Sequence, residues 1–337
     1  MNLRGWIVAG LLLLSSMRSS LVMATNQIAV MTRAEGDVKL FGAPSDEHPG
    51  TPALPHATFE GSTYSVRTAK VGDRLERGNI IKTGPGGKAR FIYQNGDQIT
   101  VAPGSAFRLK WDAKKEDKPV MELFFGKVRA LIQSEGPRTG LEVKTRSSVM
   151  GVRGTDFHVA AWSKAGGSEL SVLRGKVQVA QIASGPDKSA KPSAKPIEVA
   201  AGYSAVIKAL PSKIPGVAAA KVAEKIAVQQ TPREKLVLIQ KVSKIDKGAA
   251  PVGADIAILE KQAVVTVMQD IKAEDPALFK SLSEGGKAPE DTDEIQTKTV
   301  KKLFLAAPVN LKGGNKPVES DLEGGDAYDK YKWDDDE

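Results

Sequence analysis

With three histidines, His48, His56 and His158, and no cysteine in 337 residues, this chain has few ways to build a reactive centre. Thiolate nucleophiles, thiolate metal sites and disulfides are excluded, and a histidine triad or metal site has at most three members to draw on. His48 and His56 share a proline-rich stretch with Asp46 and Glu47. The donor types would suit a metal, but a loop does not hold ligand geometry. His158 follows Phe157 in an alternating stretch and reads as a solvated or internally satisfied strand residue. Thr83-Gly84-Pro85-Gly86-Gly87-Lys88-Ala89 has the outline of a phosphate loop but lacks the Ser or Thr after Gly-Lys that meets magnesium. In Arg153-Gly154-Thr155-Asp156 a threonine interrupts what would be an adhesion tripeptide. The acids are scattered, with no convincing pair for glycosidic cleavage. No catalytic residue, cofactor or metal site is expected, and the chemistry left is binding.

Charge says what could be bound. The chain opens with Arg4, an apolar run from Trp6 to Leu14 and the small-residue site Val22-Met23-Ala24, the layout of a cleaved secretory signal over residues 1–24. No later segment has the length of apolar sequence needed to span a bilayer. The formal charge is +8; loss of Arg4 and Arg18 leaves +6, and the last 23 residues hold nine acids and three lysines, so the remaining body carries +12. A basic body outside the cytoplasm is drawn to anionic envelope polymers. Nucleic acid is not an expected partner: export keeps the two apart, and with 5% aromatic residues stacking platforms for bases are scarce.

The elements that must position such a surface are mainly strands. From Ile28 to about Lys208, short apolar alternations are broken by glycine. Phe91–Gln94 and Asp97–Val101 around Asn95-Gly96 predict a two-residue hairpin with Ile92 facing Ile99. Gly36-Asp37-Val38, Gly126-Lys127-Val128 and Gly175-Lys176-Val177 repeat a strand-glycine-strand unit, which suggests a coiled β-solenoid or roll; a β-sandwich is the competing fold. Residues 42–67 and 183–196 read as surface loops. Beyond 210 the periodicity turns helical. Thr231-Pro232-Arg233-Glu234 is a start signal, Ile256, Leu259, Ala263, Val267 and Ile271 form a stripe, and Asp275-Pro276 opens a third helix that Gly285 could end. The expected layout is a signal at 1–24, a β domain over 25–210, a helical region over 211–285 and a mostly disordered acidic tail over 286–337.

Two segments carry a resemblance. Val71-Gly72-Asp73-Arg74-Leu75-Glu76-Arg77-Gly78-Asn79-Ile80-Ile81-Lys82-Thr83-Gly84 and Met150-Gly151-Val152-Arg153-Gly154-Thr155-Asp156-Phe157, with Asn95-Gly96-Asp97, the Leu123–Val128 unit around Gly126, Gly175-Lys176-Val177 and the end at Glu198–Tyr203 with Gly202, resemble in order and spacing the FecR-type domain of bacterial cell envelopes. Physically these residues read as architecture: Gly72, Asp73, Gly78 and Thr83 as turns around a strand, Gly151 and Gly154 as flanks of an unusual bend, with Arg153 and Asp156 forming an ion pair that fixes it. The resemblance implies a periplasmic or surface module. Founding members of the family sense an occupied outer-membrane receptor and relay this to a sigma factor, but no cytoplasmic regulatory segment is visible in this chain. The expectation is a non-enzymatic exported protein acting as an interaction, scaffold or signalling-accessory module, its partner an envelope protein. The alternative is binding of peptidoglycan or another anionic glycan.

Overall fold

In the computed structural model the described residues are 27–44, 55–93, 95–111, 119–134, 141–163, 166–182, 195–210, 226–245, 253–284, 286 and 288–308. The expected leader, His48, Gly285, most of the 183–196 loop and the acidic end from residue 309 lie outside them.

The chain winds between two layers. β1 (Gln27–Glu35) lies in the first layer and β2 (Val38–Pro44) in the second, where the hairpin β3 (His56–Phe59) and β4 (Ser62–Thr68) adds to it. β5 (Arg74–Glu76) returns to β1, and β6 (Ile80–Thr83) pairs with β2. β7 (Lys88–Tyr93) and β8 (Gln98–Val101) form a hairpin in the first layer, and β9 (Ala106–Trp111) lies beside β6 in the second. β10 (Pro119–Leu131) belongs to both layers: up to Phe125 it pairs with β9, and beyond it with β8. β11 (Leu141–Lys144) and β12 (Ser148–Val152) return to the second layer, β13 (Asp156–Ala161) and β14 (Ser168–Arg174) to the first, β15 (Lys176–Gln181) and β16 (Ile197–Ala200) to the second, and β17 (Tyr203–Ile207) and β18 (Ala227–Gln230) to the first. Among the described strands every pairing is antiparallel except β10 with β11. The described residues form an open, mainly β arrangement of 18 strands joined through β10.

Both layers turn one face onto a shared core. Ala89, Phe91, Ile99, Leu170 and Val172 come from the first layer and Leu40, Ile81, Phe107, Leu109 and Val143 from the second. The rings of Phe91 and Phe107 meet between the layers at 5.9 Å. Each such side chain contributes about 1.5–3 kcal/mol by leaving water. The outer faces differ. β11 and β12 alternate between buried and less buried residues, as a sheet with one wet face must, whereas β8 and β13 are buried at every position. Helices cover the outer side of the first layer.

These helices are α1 (Arg233–Ser243), α2 (Ala254–Glu274), α3 (Pro276–Ser283) and α4 (Thr292–Ala306). Leu236, Val237 and Ile239 of α1 and Val300 and Phe304 of α4 pack on Leu173 of β14. Val264, Val267 and Ile271 of α2, Leu278 and Leu282 of α3 and Ile295 of α4 pack on Leu131 of β10. The α2 stripe is as its spacing predicts, with Leu259 only half buried. Asp275 caps α3, accepting the Leu278 amide at 3.0 Å. No described helix is long and apolar enough to cross a membrane.

Four expectations change. The 91–101 hairpin pairs Phe91 with Ile99 and Ile92 with Gln98, one residue out of the expected register. The Tyr93 amide donates to the Asp97 carbonyl at 2.8 Å, so three residues rather than two separate the last pair, and Gly96 takes φ +87°. The presumed loop at 42–67 contains β3 and β4, stabilised by edge-on contacts of Phe41 with Phe59 and Tyr64. β18 lies inside the expected helical region, because the Thr231 amide bonds to the Gly202 carbonyl and leads the chain alongside β17. Residues 292–306, inside the supposed disordered tail, form α4: Asp291 caps it through the Glu294 amide at 3.0 Å, and Ile295, Val300 and Phe304 are buried against the domain.

Candidate functional site

The first family-like segment builds a turn that locks β1 to β5. Gly72 has φ +90°, its amide bonds to the Met31 carbonyl, and the Asp73 carbonyl accepts the Met31 amide. The Asp73 carboxylate accepts the Lys70 amide at 2.7 Å and Arg67 at 2.6 Å. Gly78 turns the chain from β5 to β6 with φ +90°. Buried Thr83 donates to the Ala102 carbonyl at 2.7 Å and accepts the Ser105 amide at 2.9 Å.

The second segment sits at the seam with the helices, and its ion pair differs from the expected one. Arg153 is exposed and donates through Nε to the Ser134 carbonyl at 3.2 Å. Asp156 is instead held by Arg129 of β10 through both prongs, Nε at 2.9 Å and Nη2 at 2.7 Å, with both side chains buried. The register explains the choice. Asp156 opposes Leu131, so it shares a sheet face with Arg129 on the diagonal, while Arg153 lies before β13 starts. Gly151 is an exposed position of β12 with no positive φ, so it does not flank a strained bend; Gly154 does adopt φ +63°. A Cβ on Gly175 would lie 2.5 Å from the Gly154 carbonyl oxygen, which is why the two turns pack only as glycines. Thr155 is buried and Phe157 enters the core. Gly202 turns β16 into β17 with φ +81°.

Strand register then aligns a polar row across the outer face of the first layer: Arg33, Arg90, Thr100, Arg129, His158, Ser171 and Ser204, each paired with the next on the neighbouring strand. The helices answer it. Arg90 grips Asp293 of α4 with both prongs, at 2.9 and 2.5 Å. Arg129 also reaches Ser243 of α1 at 3.1 Å and the Gln296 carbonyl of α4 at 3.3 Å. Arg33 pairs with Glu260 of α2 at 2.9 Å, and Lys235 of α1 pairs with Glu169 of β14. Ser204 bonds to Ser171 and to Thr231, each at 2.8 Å. Bidentate arginine–carboxylate contacts fix orientation as well as distance, so the helices are placed on the domain in one register. The arginines of this row escape motif-based reading. Their signal is a cation embedded in an apolar strand, as in Ala89-Arg90-Phe91 and Val128-Arg129-Ala130.

His158 is the odd member of the row. It is neither solvated nor satisfied at both nitrogens: Nε2 is buried without a hydrogen-bond partner. Burial, followed by the nearby cations Lys235, Lys127 and Arg129, holds its pKa well below 6.5. Burial likewise lowers the Lys235 ammonium, against the opposing pull of Glu169. The unfolded imidazole takes up its proton near pH 6.5 and the folded one only at lower pH, so this group costs stability as pH falls below that value. The loss is expected to approach about 1.4 kcal/mol per pH unit until the folded group titrates. Urea denaturation between pH 7.5 and 5.5 measures it, and His158→Leu should remove this part of the slope; equal slopes in both proteins would contradict the assignment.

An open cleft of about 530 Å³ lies beside the row, where the Arg153–Gly154 and Arg174–Gly175 turns meet α2, α3 and α4. Its charged lining is Arg153, Arg174, Lys176, Glu274, Asp275 and Lys302. Arg174 donates through Nη1 to Glu274 at 2.7 Å. Lys302 pairs with Asp275. Burial alone would raise the Asp275 carboxyl, but the bond from Lys302, the Leu278 and Ala277 amides and the Lys302 charge hold it below the usual carboxylate range. Of the histidines, exposed His56 on β3 and buried His158 are far apart in the strand order, and no cluster of three potential metal ligands occurs among the described residues.

A family model described as FecR protein matches residues 79–178. Curated proteins give no match. Two crystal structures, at 1.65 and 2.50 Å resolution, of a protein from Parabacteroides distasonis ATCC 8503 designated an anti-sigma factor are similar over 48% of this chain and 64% of that one, with 16% identity and a TM-score of 0.35. The chain thus aligns with less than two thirds of that protein's length. The family match runs from β6 to the first half of β15, and takes in the layer-crossing strand β10, the Arg129–Asp156 pair and the Gly154–Gly175 contact. Residues 79–178 of this chain are a FecR domain.

Proposed function

We propose that this protein is an exported, non-enzymatic module of the cell envelope, in which the FecR domain and its helical cap present one rigid surface to an envelope protein, as an accessory to signalling. The observation that carries this reading is where the motif residues go. Gly72, Gly78, Gly154, Gly175 and Asp156 are consumed by turns and by the seam under the cap, which leaves a scaffold rather than a reacting constellation. The FecR domain, the leader-like start and the basic body support an envelope setting. Cross-linking the tagged mature protein in its native envelope, followed by mass spectrometry, tests the reading. Discrete protein adducts are expected; a yield of glycan alone would contradict it.

That yield would favour the second reading, binding of peptidoglycan or another anionic glycan. Its supporting observation is the cationic rim of the cleft at Arg153, Lys176 and Lys302. Sedimentation with sacculi should then weaken steeply with salt, since exposed charges are screened within about 10 Å at 0.1 M. Deleting residues 212–290 is a poor test of either reading, because it strips the cover from Arg90 and Arg129 and destabilises the domain itself.

A further inference from the structure

We infer that the cleft between the Arg153–Gly154 turn and helices α2 to α4 is a carboxylate site, built for a single carboxylate attached to a short apolar group, as at the C-terminus of a peptide. Arg174 is the central residue of the cleft. Its side chain is 4% exposed, its Nη1 donates to Glu274, and its Nη2 is buried with no hydrogen-bond partner. A guanidinium normally spends both prongs on an oxyanion, and a buried donor left unmade is costly. One prong is therefore held open at a place that already accepts a carboxylate. Glu274 is 37% exposed at the rim of the cleft, so an incoming carboxylate that displaces it reaches Nη2 from solvent rather than through the sheet.

Charge and shape narrow the ligand. The lining has four cations, Arg153, Arg174, Lys176 and Lys302, against two acids, Glu274 and Asp275, a surplus that suits one negative charge. Among the described residues Lys176 pairs with Glu198, exposed at 66% and 45%, a contact that holds little energy and releases the ammonium readily. A phosphate dianion would meet Glu274 and Asp275 at close range, so a monoanion fits better. Leu173, Leu278 and Leu303 give the cleft an apolar wall, which calls for an aliphatic group beside the charge. Glycine at 154 and 175 keeps the floor clear of side chains.

The site stands independently of the protein-partner reading, which fails if cross-linking returns no protein; this one fails on small-molecule binding. Calorimetry on the full chain would use N-acetyl dipeptides ending in Ala, Val or Leu, each as the free acid and as the C-terminal amide, with inorganic phosphate as a further probe. At least one acid should bind saturably, its amide at least about tenfold more weakly, given the usual worth of a charge-assisted hydrogen bond. Arg153→Gln with Lys176→Gln, both at the surface, should weaken the acid about tenfold while leaving the melting temperature unchanged, and Arg174→Gln should weaken it about ten- to a hundredfold. Equal binding of acid and amide, tighter binding of phosphate, unchanged affinity in the surface double variant, or no binding by any acid would overturn the proposal.

Discussion

Replacing Asp156 with alanine should destabilise the folded protein by about 3–5 kcal/mol, the usual cost of leaving one half of a buried ion pair alone. Arg129 is 1% exposed and Asp156 2%, so neither charge can recover its hydration by a small motion. The remaining partners of Arg129, the Ser243 hydroxyl, the Gln240 side-chain oxygen and the Gln296 carbonyl, are neutral and cannot replace the carboxylate. The loss should extend beyond the β domain, because the same guanidinium holds α1 and α4. A double replacement, Arg129→Met with Asp156→Leu, should recover most of the stability, since well-packed apolar residues of similar volume often match a buried pair. Urea midpoints at pH 7.5 decide it: a loss below about 1 kcal/mol for Asp156→Ala would place the pair outside the load this fold puts on it.

Gly126→Ala should cost about 2–5 kcal/mol, combining left-handed backbone strain with overpacking. Gly126 is where β10 leaves the second layer and enters the first, with φ +90°. A Cβ there would sit 2.4 Å from the Ser105 Cα, a backbone atom that cannot move without shifting the start of β9. Gly151→Ala is the matched comparison. Although Gly151 belongs to the same family-like pattern, its φ is not positive and its Cβ would meet only the Gln178 side chain at 3.9 Å. That substitution should be neutral or stabilise by up to about 1 kcal/mol. Similar losses at both positions would show that the pattern, rather than the bend at β10, governs the cost.

What the sequence makes legible follows from locality. The strand-rich body, the presence of helices after it and the Asp275 cap are set by neighbours in the chain, and they stand in the structure. Turn geometry already needs more: Asn95-Gly96 signals a hairpin, but whether two or three residues close it depends on Asp97, whose buried carboxylate accepts the Gln133 amide at 2.9 Å across 36 positions. The partner of Asp156 lies 27 residues away on the adjoining strand, so proximity in sequence favours Arg153 and register favours Arg129. Helix α4 is hidden by its composition, since Lys298, Lys301 and Lys302 outweigh a stripe of only Ile295, Val300 and Phe304. The cleft is not legible at all, because Arg153, Arg174, Glu274 and Lys302 meet only after the cap docks.

The docking has a consequence for the domain. Arg90 and Arg129 occupy outward positions that an uncovered sheet would show to water, yet each is buried. Such groups tolerate burial only while the helices supply their partners, so domain and cap should unfold together rather than in sequence. Hydrogen exchange on the full chain tests this most directly. Amides of α1 and α4 should show the same opening free energy as those of β10 and β13, and Asp156→Ala should lower all four together. Exchange of α1 and α4 near unprotected rates, with β10 and β13 still protected, would contradict a cap locked to the FecR domain.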